Sequence, residues 1–196
     1  MTMLELLPTL GRTLGFSFSA GINLYATVAI LGLASRYGWV QLPDQFRVFD
    51  NDLVIGAALV LYVVEFVADK VPWVDSMWDA VHTVIRPAGG ALIAVATLGD
   101  ASPAVEGLAA LLGGTLAAGS HFTKAGTRAV ANTSPEPFSN WILSLTEDAF
   151  VIGLGFVALK YPSIAALIVI VAVVLMIVFA AWIVRAVRRR WAVSTA

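Results

Sequence analysis

Residues Glu65–Gly90 read EFVADKVPWVDSMWDAVHTVIRPAGG, a polar stretch inside an otherwise apolar chain. Glu65, Asp69, Lys70, Asp75, Asp79, His82 and Arg86 fall here, between two runs that read as membrane-embedded. A charged group in hydrocarbon costs at least ~2.5–3.5 kcal/mol on insertion scales, so such groups face a partner, a water-filled cavity or a substrate. Asp75, Asp79, His82 and Arg86 follow one another at steps of four, three and four residues, which places them on one stripe of a helix. Pro87 removes a backbone donor and disfavours helix at Arg86, and Gly89 and Gly90 weaken it further. The stretch therefore predicts a broken helix, or an amphipathic helix joined to a half-helix, because Ala88–Leu98 is too short to span alone.

Composition agrees with a membrane setting. Of the 196 residues 59% are hydrophobic and 13% charged, with mean hydropathy +0.86. Soluble domains carry about 25% charged residues, roughly twice this. The net charge of −1 gives no sign of a nucleic-acid partner, and the absence of cysteine excludes thiol catalysis, disulfides and Cys-based metal sites. The N-terminal MTMLELLPTLGR has no basic leader region and is expected to stay uncleaved. Nothing in the chain asks for a cofactor.

The expected architecture is all-α, a single polytopic membrane domain over 1–196 with about six segments. The first helix covers 10–37, where Gly11 and Gly15 form a small-xxx-small pair and Asn23 and Tyr25 are candidates to line a cavity. A polar loop with Trp39, Phe46 and Phe49 follows. A first hairpin covers 53–98 and a second 107–159; the latter is glycine-rich at Gly107, Gly113, Gly114 and Gly119, and it breaks at Asn132–Pro137. The last helix, 163–184, carries no charge and is followed by a basic tail over 185–196. Arg185, Arg188, Arg189 and Arg190 place the C-terminus in the cytoplasm, and counting back six spans places the N-terminus there too. Ser76, Trp78, Thr83 and Gly90 match Ser139, Trp141, Thr146 and Gly153 at a constant offset, a weak internal repeat in which either polar hairpin is able to span or re-enter.

Four blocks carry a resemblance. SAGINLYATVAILGL (19–33), EFVADKVPWVDSMWDAVHTVIRPAGGAL (65–92), HFTKAGTRAVANTSPEPFSN (121–140) and SLTEDAFV (144–151) are similar to signature blocks of the bacterial membrane-protein family catalogued as domain of unknown function 4126. The resemblance runs from about Gly15 to Lys160 and implies a multi-helix protein of the bacterial cytoplasmic membrane. It implies no activity, so function rests on the residues.

The candidate ion or substrate pathway is Asp75, Asp79, His82, Arg86, His121, Lys124, Arg128, Glu147 and Asp148, with Asn23, Glu65, Asp69, Asn132, Ser134 and Asn140 as further polar lining. A carboxylate at mid-helix suits proton or cation coupling. Of Glu147 and Asp148, one is expected to be functional and the other to pair with Lys124 or Arg128, and His82 and His121 are candidate relays. Asp75, Asp79, His82, His121 and Glu147 are candidate metal ligands, although their spacing matches no recognised motif. These residues point to a transporter or channel for a small ion or charged solute. The alternatives are a protein handling lipid or phosphate headgroups, a lipid enzyme using Asp79 and His82 with Ser76 or Ser134, or a structural protein whose charges neutralise one another. No recognised catalytic motif is present, and a non-enzymatic role is expected. The expected partners are the bilayer, a small ion or solute, and a second copy of the chain through glycine-rich faces.

Overall fold

The computed structural model describes residues 3–133 and 138–194. It is all-α: α1 (Met3–Ile22), α2 (Leu24–Arg36), a 3-10 segment (Asp44–Asp50), α3 (Asp52–Ala68), α4 (Pro72–Leu98), α5 (Pro103–Ala131), α6 (Phe138–Lys160) and α7 (Pro162–Ser194). Among the described residues, three stretches are long and apolar enough to cross a membrane: α4, α6 and Pro162–Trp182 of α7. The last helix runs further than expected, through much of the basic tail to Ser194.

The main break lies elsewhere than expected. Helix α4 passes through Pro87 without interruption, and α5 packs closely there: a Cβ on Gly114 would lie 3.3 Å from the Pro87 carbonyl oxygen. A proline kink is tolerated where neighbouring helices hold the freed backbone. The expected single helix over 10–37 is instead two helices divided at Asn23, whose backbone is extended at φ −144° and ψ 99°. The Asn23 side chain accepts from the Ala26 amide at 2.9 Å, offering the backbone an alternative to the helical ladder. The chain turns back there. Phe16 and Ile30, seven residues either side of Asn23, both lie within 4 Å of the Cβ position of Gly155. In a continuous helix they would stand about 21 Å apart.

With this reversal the start of α1 and the end of α7 lie at opposite ends of the bundle, whereas both termini are expected on one side. Helix α1 starts at the end of the bundle where Gly11 abuts Pro162 and Thr13 meets Thr97 at 3.2 Å. Helix α7 runs from Pro162 toward the other end, passing Gly15 through Ala165 and Gly119 through Met176. Nor do the expected hairpins 53–98 and 107–159 form self-contained pairs: α4 packs along α5 and α1, and α3 along α2.

The interior is divided by polarity. Toward the Pro162 end the core is apolar, with Phe16, Leu31, Ile93, Leu154 and Ala158 all buried. Close approach there needs glycine, since Gly90 and Gly113 set α4 against α5 and a Cβ on either would meet the opposite helix. Arg36 clips the start of α3 through Asp50 at 3.2 Å and Asp52 at 2.6 Å, and also bonds the Asp50 carbonyl. Toward the α3–α4 turn the interior is charged, and the fully buried side chains include Glu65, Asp75, Arg86, His121 and Arg128. The outside is apolar, with Leu111, Leu175, Ile177 and Phe179 exposed. That is the reverse of a soluble protein, where Lys, Glu, Arg and Asp are the residues least often buried.

Candidate functional site

Three cations organise the charged half. Arg86 on α4 donates from Nη2 to Glu65 Oε1 at 2.8 Å and from Nη1 to Asp79 Oδ1 at 3.0 Å. Lys124 on α5 reaches Glu65 Oε1 at 3.3 Å and Asp69 Oδ2 at 3.0 Å, with Glu147 Oε2 at 3.6 Å. One turn on, Arg128 binds Asp69 Oδ2 at 2.9 Å and Glu147 Oε2 at 2.5 Å, with Asp75 Oδ1 at 3.5 Å. The helical steps in α4 and α5 explain the stripes, and a planar guanidinium fork suits Arg for bridging several carboxylates at once.

The charges do not balance. Glu65, Asp69, Asp75, Asp79 and Glu147 are five carboxylates, and Arg86, Lys124 and Arg128 are three cations. If every group were ionised, the cluster would hold two uncompensated negative charges. Glu65 Oε2, Asp69 Oδ1 and Asp75 Oδ1 are buried and accept no hydrogen bond. Burying an unpaired carboxylate costs several kcal/mol after relaxation, so such a cluster favours taking up protons or a cation.

The histidines are held in defined tautomers. Thr83 donates to the Asp79 carbonyl at 3.0 Å, so its oxygen accepts from His121 Nε2 at 3.1 Å. Arg86 Nη1 donates to His121 Nδ1 at 2.8 Å, which fits only a neutral ring. His82 donates from Nδ1 to the Trp78 carbonyl at 2.7 Å and accepts from the Tyr25 hydroxyl at 2.9 Å. His82 and Asp79 do not pair. Ser76 donates to the Pro72 carbonyl at 3.0 Å and is tied to Asn132, so the expected acid/base arrangement with Ser76 is not assembled. Ser134 lies outside the described residues.

The broken α1–α2 element meets this cluster at its apex. Lys124 Nζ donates to the Ile22 carbonyl at 3.2 Å and Ser120 Oγ to the Phe18 carbonyl at 2.8 Å, capping the end of α1. A cation at a helix C-terminus is favourable. Asn23, at the start of α2, donates from Nδ2 to Asp148 Oδ1 at 3.1 Å. Adjacent Glu147 and Asp148 thus part company: Glu147 joins Arg128 and Lys124, while Asp148 faces Asn23. Asn132 joins the two turns at this end by donating to Asp75 Oδ2 at 3.0 Å, and it accepts from Asn140 at 2.6 Å.

The family model described as Domain of unknown function (DUF4126) matches residues 10–182. The chain belongs to the DUF4126 family. No curated protein and no solved structure matches the chain. The matched span contains every element of the charged cluster, from Asn23 at the apex of the α1–α2 element to Asp148 on α6.

Within this DUF4126 chain, the structure gathers all nine expected pathway residues at one end of the bundle and moves Glu65 and Asp69 from the lining to its centre. Among the described residues, no three His, Asp or Glu side chains converge as a metal shell. The five candidate ligands are spread along the cluster, with guanidinium groups between them. Lys70 stands in the charged stretch and Thr83 in the weak repeat, but neither is among the candidate site residues expected from sequence. Thr83 lies four residues after Asp79, the only signal that it shares the stripe. Lys70, in the α3–α4 turn, rests its Nζ 3.0 Å from the Phe66 ring centroid. Its own burial pushes the ammonium below the usual lysine range, against the pull of Asp148 and Asp69. Two crevices approach the cluster. One, of about 250 Å³, lies between α4 and α5 beside Asp75, Asp79 and Arg128. The other, of about 340 Å³, lies by α5, α6 and α7 and ends on Lys124 and Glu147.

Proposed function

We propose that this protein is a multi-pass transporter of the bacterial cytoplasmic membrane that moves a small ion or charged solute through the buried charged cluster, coupled to protons. The observation that carries the reading is the excess of buried carboxylates over cations, with acceptor oxygens left unused. A purely neutralising network has no reason to bury more acids than bases, whereas a site that takes up and releases a positive charge requires it. In this reading α3 to α7 cross the bilayer and the α1–α2 element re-enters, making six membrane segments. Its apex brings two helix ends to the cluster, as discontinuous helices do at the sites of many transporters. The apolar core around Phe16, Ile93 and Leu154 closes the site toward the Pro162 end. No catalytic step is assigned.

A second reading draws on the crevice ending at Lys124 and Glu147, whose walls include Phe150, Leu175 and Met176. An apolar slot with a charged end suits a lipid chain and headgroup. One experiment separates the two. Purified protein in sealed liposomes is assayed for electrogenic current and proton flux across a panel of cations, phosphate and small anions. Transport predicts a flux that Glu147→Gln abolishes while insertion and yield persist. Correctly inserted protein with no flux across the panel removes the transport reading and leaves lipid handling or a structural role.

A further inference from the structure

A carboxyl group and an ammonium each stand without an ionic partner at the junction of α3, α6 and the α1–α2 apex. Asp148 is 7% exposed. Its Oδ1 accepts from Asn23, and its Oδ2 is buried without any hydrogen-bond partner. Among the described residues, no Lys or Arg nitrogen lies within 4 Å of it. Lys70 is the converse. Its ammonium contacts the Phe66 carbonyl at 2.8 Å, the Ser144 hydroxyl at 3.3 Å and the Phe66 ring, and it pairs with no carboxylate among the described residues. Ser144 lies four residues before Asp148 on α6, about 6 Å along the axis. A lysine stem, four methylenes long and freely rotatable, covers that distance.

We propose that Asp148 is a proton-binding carboxylate, loaded in this structure, and that Lys70 is the internal cation that takes the proton's place when it leaves. The proton occupies Oδ2. On release the carboxylate keeps the electron pair, the ammonium moves one turn along α6 from Ser144 to Asp148, and the local charge returns to zero. Asn23 serves both states, since its amide donates to Oδ1 whether or not Oδ2 carries a proton. The other groups whose charge reaches Asp148 are Glu65 on α3, Asp69 in the turn and Lys124 on α5, with the Tyr62 ring on α3 also nearby. Glu65, Asp69 and Lys124 are engaged with one another, which leaves Lys70 as the nearby cation that has no carboxylate partner among the described residues. Because Lys70 follows Asp69 in the α3–α4 turn, its movement pulls on the residue that holds both Lys124 and Arg128. Proton loading is thereby linked to the position of the turn.

The inference deepens the transport reading but concerns binding, so it fails or stands separately from flux. Infrared spectra of the full chain in lipid nanodiscs, titrated with acid and base, report protonated carboxyl groups through their C=O stretch. The wild type should show such a band near neutral pH, weakened in Asp148→Asn and retained in Glu147→Gln. A wild-type spectrum with no such band, or one unchanged by Asp148→Asn, overturns the proposal. Lys70→Met tests the second half and does not depend on Asp148→Asn folding. Without the replacing cation the band should survive to roughly tenfold lower proton concentration, as expected for loss of an opposite charge. A titration unmoved by Lys70→Met overturns the exchange, and in Lys70→Arg it should stay close to wild type.

Discussion

Arg86 shows how much of the charged half hangs on single side chains. Its guanidinium is wholly buried and joins Glu65 from α3, Asp79 from its own helix and His121 from α5. The three acceptors lie in directions that a planar fork meets together and a single ammonium cannot. Replacing Arg86 with Met would leave Glu65 to Lys124 alone and Asp79 without a cation partner. Removing one partner of a buried ion pair typically costs about 3–5 kcal/mol. Thermal unfolding in a fixed detergent should show a clear loss of stability in Arg86→Met and a smaller one in Arg86→Lys. A melting curve unchanged in both would mean that these contacts contribute nothing to the folded state.

At the scale of helices, glycine divides α5 into tight and open faces. A Cβ on Gly113 would lie 2.7 Å from the Gly90 carbonyl oxygen and against Ala94, both on α4, whereas one on Gly107 meets nothing within 4 Å. Gly113→Ala must push two helices apart, an overpacking cost of about 1–3 kcal/mol. Gly107→Ala on the same helix should be neutral or stabilise by up to about 1 kcal/mol through lower chain entropy. Paired melting curves check this, and equal curves would refute the account of the α4–α5 contact. The same helices show where sequence is informative. The charged stripes were legible because three- and four-residue spacing fixes a helical face before any packing is known. Which acid meets which base was not legible, because it depends on the register between α3, α4, α5 and α6. Pro87 misled because a proline inside a packed helix need not end it. Asn23 carried no signal of a break: an amide in an apolar helix reads as a cavity-lining candidate, and only the shared contact of Phe16 and Ile30 with Gly155 shows that the chain reverses there.

At the scale of the molecule the reversal at Asn23 decides topology, and the cysteine-free chain makes it testable without background labelling. If residues 10–37 crossed the bilayer once, six crossings would leave both ends on one side. With α1 and α2 folded back, the start of α1 shares the end of the bundle that holds Pro162, and α7 carries the chain to the opposite end. The basic tail favours the cytoplasm for that second end. Leu7 is 62% exposed and Arg185 is exposed, so each accepts a cysteine without disturbing the interior. In intact cells a membrane-impermeant maleimide should label Leu7→Cys but leave Arg185→Cys untouched until the membrane is opened. Labelling of neither from outside would return both ends to the cytoplasm and make 10–37 a crossing. That outcome would also argue against the proposed re-entry of the α1–α2 apex, and with it the two helix ends on which the proposed transport site is built.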